Sequence, residues 1–520
     1  MTVPPACGSE TRRRGIIAHD DFHDPKTDPI MPSPPAAFRR ALGLYDATML
    51  VVGSMIGSGI FIVSADIART VGSAGWLLVV WLLSGLMTVA VALSYGELAA
   101  MMPRAGGQYV YLREAWNPLV GFLYGWTLFL VIQTGTIAAV AVAFAKFTAV
   151  LLPVLGESTV LCRAGFVTLT AQRLVAMMSI LILTGVNMRG IVSGKIIQNV
   201  FTTAKWLSLL ALIVLGIAAG LSLEAFVTNL KGFWDAASTH VTNTGLVREP
   251  LTGLALVGAL GVAMVGSLFS SDAWNNVTFT AGETVNPKRT IPLSLAIGTG
   301  AVVLLYFLSN VSYLAVLPLQ GDPHAGDVAG RGIQFTADDR VATAAMSVVL
   351  GPVGVTIMAV LIMISTFGCN NGLILSGARV YYAMAQDGLL FRKVGVLTKR
   401  SVPGVALALQ AGWACFLCVS GTYSDLLDYV VFAVLLFYVL TVAGIFLLRR
   451  RLPNAERSVR AAGYPVVPLL YIAAAATVAC ILLVLKPAYT WPGMIIVALG
   501  VPVYFLWHKG QPSADPPSHG

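Results

Sequence analysis

The chain has 520 residues, of which 57% are hydrophobic and only 11% charged, with a mean hydropathy of +0.80. Soluble domains carry about 25% charged residues, so this balance excludes a soluble enzyme or binding module and specifies a polytopic membrane protein. The net charge of +9 does not point to nucleic acid, because the basic residues gather in alternate loops between apolar segments.

A hydrocarbon core of about 30 Å is crossed by about 20 apolar residues. On that ruler the sequence predicts about twelve transmembrane helices. Residues 1–36 are polar and rich in proline, with no apolar core of a signal peptide, and read as a disordered tail. The first span, Leu44 to Ala68, contains Gly53-Ser54-Met55-Ile56-Gly57-Ser58-Gly59-Ile60-Phe61. Glycine disfavours helix by roughly 1 kcal/mol, so the helix is expected to break around Gly57-Ser58-Gly59. Backbone groups freed at bilayer depth are tolerated only where protein, water or a polar ligand satisfies them. N–H groups opening the second half suit a carboxylate. Carbonyls ending the first half, near Met55 and Ile56, suit an ammonium group, so one break can hold both charged ends of an amino acid. The alternative is that Gly53 and Gly57 form a GxxxG packing face.

Spans two to five are expected at Gly75 to Met101, Leu119 to Leu152, Leu174 to Met188 and Ile196 to Gly220. Lys146, near an outer end, reads as a snorkelling lysine, and Cys162 in an outer loop has no obvious intrachain partner. Lys205 sits in mid-span, where a lysine costs about 2.5 to 3.5 kcal/mol. It therefore wants an internal partner, either helix-end carbonyls of the first span or hydroxyls such as Ser365 and Thr366. A fixed or titratable cation standing where a coupling ion would otherwise sit is the functional reading; snorkelling is the other.

The sixth span, Leu254 to Thr280, is interrupted by Ser267-Leu268-Phe269-Ser270-Ser271-Asp272-Ala273-Trp274-Asn275-Asn276-Val277. Carbonyls around Phe269, Ser270 and Asp272 can complete the ammonium site, and the Phe269 ring can cover the ligand. Asp272 can touch substrate, carry a proton, or cap the second half-helix. Trp274 is expected as a pocket aromatic. The remaining spans follow at Leu293 to Val316, Pro352 to Met384, Val405 to Gly421, Tyr429 to Leu448, Val466 to Leu485 and Pro492 to Trp507, with 511–520 read as a second disordered tail. Glu97 and Arg379, near inner ends of their spans, are candidates for a gate or for interfacial anchors. The loop from Leu319 to Val341 is either a lid or a passive connection.

Interruptions in the first and sixth spans suggest that each opens a repeat of five helices, and an odd number of crossings inverts the second copy. The expected architecture is all-α, with a 5+5 inverted repeat inside a transporter domain at 37–510. Residues 37–222 form the first repeat, 250–450 the second, and helices eleven and twelve at 464–508 stand outside both. Arg104, Arg189, Lys195, Arg392 and Arg449 to Arg451 fall in loops of one face, so the positive-inside rule places both termini in the cytoplasm. The spans hold no paired carboxylates, histidine cluster or nucleophile–base arrangement, so neither an enzyme nor a metal or cofactor is expected.

The motifs at Gly53 to Phe61, Tyr95-Gly96-Glu97-Leu98 through Gly106-Gly107-Gln108-Tyr109, Lys205, Phe269 to Asn275 with Glu283 and Asn286-Pro287, and Ser365-Thr366-Phe367-Gly368-Cys369-Asn370-Asn371-Gly372 are distinctive together. They resemble the amino acid-polyamine-organocation superfamily, and within it the L-type amino acid transporter family. The resemblance implies the fold named for the bacterial leucine transporter. It further implies that N–H groups of Ser58 and Gly59 bind the substrate carboxylate, that carbonyls of Met55, Phe269 and Asp272 bind its amine, and that Phe269 is a gate. Lys205 matches the family lysine thought to replace a sodium ion, which implies sodium-independent transport, in many members by exchange. Eukaryotic members join a heavy chain through a loop cysteine; Cys162 does not convincingly match that position, so a carrier without a heavy subunit is expected. Ala273 stands where many relatives have glycine, which implies a tighter pocket. The resulting expectation is a plasma-membrane carrier of neutral L-amino acids; a carrier of cationic amino acids or polyamines, and a non-transporting sensor on the same fold, are the alternatives.

Overall fold

Glycine and polar residues inside apolar runs decide where the long helices of this chain stop. The computed structural model describes residues 38–164, 167–221, 224–242, 245–420 and 423–509. Both tails read as disordered, 1–36 and 511–520, lie outside the described residues. Among the described residues eleven helices are long and apolar enough to cross a membrane, and a shorter apolar helix, Gly404–Ser420, stands where the ninth of the twelve expected spans falls. The chain is a multi-pass helical membrane protein.

The first span is two helices, Leu44–Met55 and Gly59–Ile62, continued outward by Ser64–Val71. The sixth is likewise divided, into Gly253–Ser270 and Asn276–Phe279. The third carries a π-helical turn, Leu128–Ile132, between Pro118–Thr127 and Gln133–Leu151. There the Thr134 hydroxyl donates to the carbonyl of Phe129, five residues back, at 2.5 Å; such turns mark functional stretches of helices. The eighth span differs from expectation. Its helix, Val341–Gln386, begins before Pro352 and is kinked at Gly351, whose φ of 63° is open to glycine but strained for other residues. A short helix therefore precedes the expected span.

Second (Ala74–Met101) packs on seventh (Pro287–Val316), third on eighth, and fourth (Ala171–Met188) on ninth, the pairs that an inverted repeat of five helices matches; the fifth also packs on the seventh and eighth, and the first on the seventh. The first and sixth spans enter from opposite faces. Leu44–Ile62 and Pro118–Leu151 are the most enclosed, 78% and 83% buried, whereas Val466–Leu485 and Thr490–Trp507 are 28% and 22% buried and lie at the periphery.

One face carries the arginine-rich loops. The opposite face carries two hairpins, Val160–Ala164 with Val167–Thr170 and Ala237–Thr242 with Gly245–Pro250, and the connection from 317 to 340. That connection is pinned rather than loose. Arg69 makes a bidentate contact with Asp339 at 2.7 and 3.2 Å and donates to the Gln334 carbonyl at 2.7 Å. Burial works against the Arg69 charge, but the Asp339 carboxylate outweighs it and holds the guanidinium pKa above its usual value. Lys146 reaches out of the third span to this connection, where its ammonium donates to the Asp338 carbonyl at 2.8 Å.

Candidate substrate site

At the first break the carbonyls that end Leu44–Met55 point sideways into neighbouring spans, and each meets a donor. Lys205, fully buried near the middle of Ile191–Gly220, donates to Gly53 O at 2.8 Å and Ile56 O at 2.7 Å. Ser365 of the eighth span lies 3.3 Å from Ile56 O and 3.1 Å from Gly57 O. The Cys369 thiol reaches Ser54 O at 3.0 Å. Thr366 does not join this group, because its hydroxyl donates to Ile362 and Met363 of its own helix. A single ammonium on helix-end carbonyls neutralises the partial negative charge that a broken helix leaves there.

Gly53 and Gly57 do not share one packing face. An added Cβ on Gly53 would overlap Gln198 and Thr202 of the fifth span, whereas one on Gly57 would meet Cys369 of the eighth at 3.2 Å. Gly59, which opens the second half, lies against the sixth-span break itself: its Cβ would overlap the Ser270 hydroxyl and come within 3.0 Å of the Ser270 Cα. Ser58 is buried beside it.

The sixth-span break runs from Ser271 to Asn275. The Phe269 carbonyl accepts the Asp272 N–H at 3.1 Å and the Phe269 ring is buried. The Ser270 hydroxyl donates back to Gly266 at 2.7 Å. Ala273 has φ of 64°, a left-handed conformation that costs an L-residue about 1 kcal/mol and that glycine adopts freely. Trp274 is buried, with its ring 4.7 Å from Tyr95 and 5.2 Å from Tyr438 between centroids. Asp272 is not a helix cap. The N-cap position of Asn276–Phe279 is Asn275, and the Asp272 carboxylate instead accepts the Tyr438 hydroxyl at 2.6 Å.

Sequence reasoning missed Tyr306. Its hydroxyl, on the seventh span, lies 3.0 Å from both Met55 O and Ser270 O, so one phenol touches both breaks. A tyrosine in an apolar run looks like any other packing aromatic, and nothing in its neighbours signalled this position.

Glu97 and Arg379 do not meet, so they form no gate with each other. Glu97 accepts Arg449 at 2.6 and 2.9 Å and the Ala461 N–H at 2.7 Å, with Arg457 at 3.2 Å. Arg379 makes a bidentate pair with Glu283, both contacts at 2.9 Å. Arg113 pairs with Asp387, which also accepts the Tyr109 hydroxyl at 2.7 Å; burial and that carboxylate push the Tyr109 phenol well up, which keeps it a donor. These contacts close the arginine-rich face. On the other face a cavity of about 760 Å³ descends past Asp66 and Arg69 to Ile62, Val63, Val265 and Gly266, one turn short of the two breaks.

Two broken helices meeting inside the helical body, with one side closed by ion pairs and the other open to a cavity, are the arrangement of a membrane transporter. The amino acid permease family matches residues 42–505, and this chain belongs to it. The chain is 30% identical to the human large neutral amino acids transporter small subunit 2, over 92% of this chain and 83% of the relative. It is 28% identical to the mouse Asc-type amino acid transporter 1, over 90% and 81%, and 26% identical to the mouse b(0,+)-type amino acid transporter 1, over 91% and 88%. It is an amino acid transporter of the amino acid-polyamine-organocation superfamily, not an enzyme.

The contact between Gly59 and Ser270 makes a direct test of the paired breaks. Gly59→Ala is expected to force them apart and to lower initial amino acid uptake per folded molecule at least tenfold, a loss of about 1.4 kcal/mol or more in transition-state terms. Gly57→Ala, whose Cβ would meet the Cys369 thiol at 3.2 Å rather than overlap it, is expected to lose less. Uptake in proteoliposomes normalised to monodisperse protein measures both; equal activity of Gly59→Ala and the parent sinks the argument.

Proposed function

We propose that this permease carries neutral L-amino acids across the plasma membrane by alternating access, exchanging one for another without sodium and without a heavy-chain subunit. The substrate carboxylate binds N–H groups of Ser58 and Gly59, and its amine binds around the Met55, Phe269 and Asp272 carbonyls, with Phe269 as gate. The observation that carries the reading is the Lys205 ammonium on Gly53 O and Ile56 O, a monovalent charge resident where a coupling cation would need those same oxygens. The relative named for large neutral amino acids supports the substrate class. The arginine-rich face is cytoplasmic, together with both termini.

Uptake of radiolabelled neutral amino acids into proteoliposomes, with and without internal amino acid, tests the reading. Internal substrate is expected to stimulate uptake severalfold, and replacement of sodium by choline to leave it unchanged. Collapse of uptake in choline contradicts the assignment of Lys205. Asp272, the acidic side chain at the breaks, favours one second reading, a carrier of cationic substrates. Competition by arginine or putrescine but not by alanine would select it, and binding without flux would mark a sensor.

A further inference from the structure

The connection from 317 to 340 borders a further pocket on the face opposite the arginine-rich loops. About 290 Å³ in volume, it lies between the short helix Val328–Arg331 and the first turns of the eighth-span helix, ahead of the bend at Gly351. The share of one water in the liquid is about 30 Å³, so the space admits a group of several heavy atoms.

Its walls present donors that lack acceptors. Thr336 and Thr343 are 5% and 7% exposed, and neither hydroxyl has a partner among the described residues. The Nε of Arg340 is likewise buried and unmet, while its Nη2 holds Asp338 at 2.8 Å. Arg331 donates its Nε to the Ala325 carbonyl at 2.9 Å and makes no ion pair among the described residues. Ser347 is satisfied by the Ala344 carbonyl at 2.7 Å. One carboxylate shares the lining, that of Asp327, which accepts the Gly330 N–H at 3.3 Å on the exposed rim. Two guanidinium groups against one carboxylate leave the pocket net positive. Burial holds the Arg340 guanidinium below its usual value, by more than Asp338 restores. Arg340 is also the N-cap of the eighth-span helix and gives no side-chain cap bond, so the positive end of the helix dipole adds to the same sign.

Buried hydroxyls and a guanidinium N–H without acceptors, in a positive setting, call for an oxyanion, whose oxygens match the guanidinium fork. The lining runs on to Val355, past Pro352, and the aliphatic side chains of Val348, Leu350 and Val353 beside it are exposed. The pocket therefore sits at the rim of the apolar span, where phospholipid head groups meet helices. We propose that it binds a phosphate group, presented by an anionic phospholipid or as the free ion, with Arg331, Arg340, Thr336 and Thr343 as donors. Arg340 stands as well in the wall of the larger cavity that leads toward the breaks, 5.9 Å from the Phe147 ring centroid. A phosphate held there fixes one wall of that approach, whatever the transported substrate is.

The melting temperature of the full chain tests the assignment, because a ligand that binds only the folded state raises it. Inorganic phosphate is added to lipid-stripped protein in neutral detergent at constant ionic strength, with chloride as control, and nanodiscs of phosphatidylcholine are compared with and without phosphatidylglycerol. The parent is expected to melt several degrees higher with phosphate or phosphatidylglycerol than with its control. A rise with the lipid alone identifies the head group as the source, and a rise with inorganic phosphate identifies the free ion. Arg331→Gln is expected to weaken the response about tenfold in ligand concentration. The double variant Thr336→Val, Thr343→Val removes two unmet hydroxyls, so it should melt no lower than the parent without ligand and still respond about tenfold more weakly; it keeps the result readable if Arg331→Gln fails to fold. No rise beyond the controls in the parent, or an equal rise in either folded variant, overturns the assignment.

Discussion

Lys205→Ala is expected to lower uptake at least a hundredfold while the purified protein stays folded. The two effects separate because they draw on different terms. Loss of the ammonium strips Gly53 O of its side-chain donor and leaves Ile56 O with Ser365 alone, and an unmet buried acceptor costs about 1–3 kcal/mol. Loss of a mid-membrane lysine also removes an insertion cost of about 2.5–3.5 kcal/mol. These oppose each other, so thermal stability should change little. Transport has no such offset: the resident charge sets the potential at the break into which a zwitterion must fit, and a hundredfold loss corresponds to about 2.7 kcal/mol. Lys205→Met, similar in length and neutral, should behave as the alanine variant does. Thermal unfolding in detergent and flux in proteoliposomes measure the two quantities, and parental flux in either well-folded variant refutes the account.

The largest stability effect is expected at Glu283. Its side chain is 1% exposed and that of Arg379 2% exposed, and the two are held in a bidentate pair. Truncation to Glu283→Ala leaves the guanidinium buried without its counter-charge, with the Leu375 carbonyl as its remaining acceptor. Removing one partner of a buried pair costs about 3–5 kcal/mol. Removing both is cheaper, because no isolated charge remains. The double variant Glu283→Ala, Arg379→Ala should therefore melt at a higher temperature than Glu283→Ala alone. A single variant as stable as the parent, or a double variant worse than either single one, contradicts this.

Much of the architecture was legible because it is local. Hydropathy over about 20 residues places spans, and a Gly-Ser-Gly run or a polar stretch inside an apolar segment marks where a helix stops. The breaks at Ile56–Ser58 and Ser271–Asn275 follow from such runs. Contacts between distant spans were not legible. The charge on Glu97 was visible, but its partners, Arg449 in the last turn of the tenth span and Arg457 in the loop that follows, lie some 350 residues away, and hydropathy does not encode that contact. Glu283 stood in a recognisable motif without any sign that Arg379 would be its mate. The extension of the eighth helix to Val341 was missed because Gly351-Pro352 reads as an end, and here it is a bend. A cap was one of three roles open to Asp272, on the general preference for aspartate at helix starts, whereas a phenol from the tenth span takes its carboxylate.

Tyr306 has a single hydroxyl proton shared between Met55 O and Ser270 O. Such a three-centre link is satisfied only while the two interrupted rods keep their mutual spacing. Tilting one of them alone would strand an acceptor in a dry interior, so in the alternating-access cycle proposed above the phenol serves as a yoke that makes the two halves swing together.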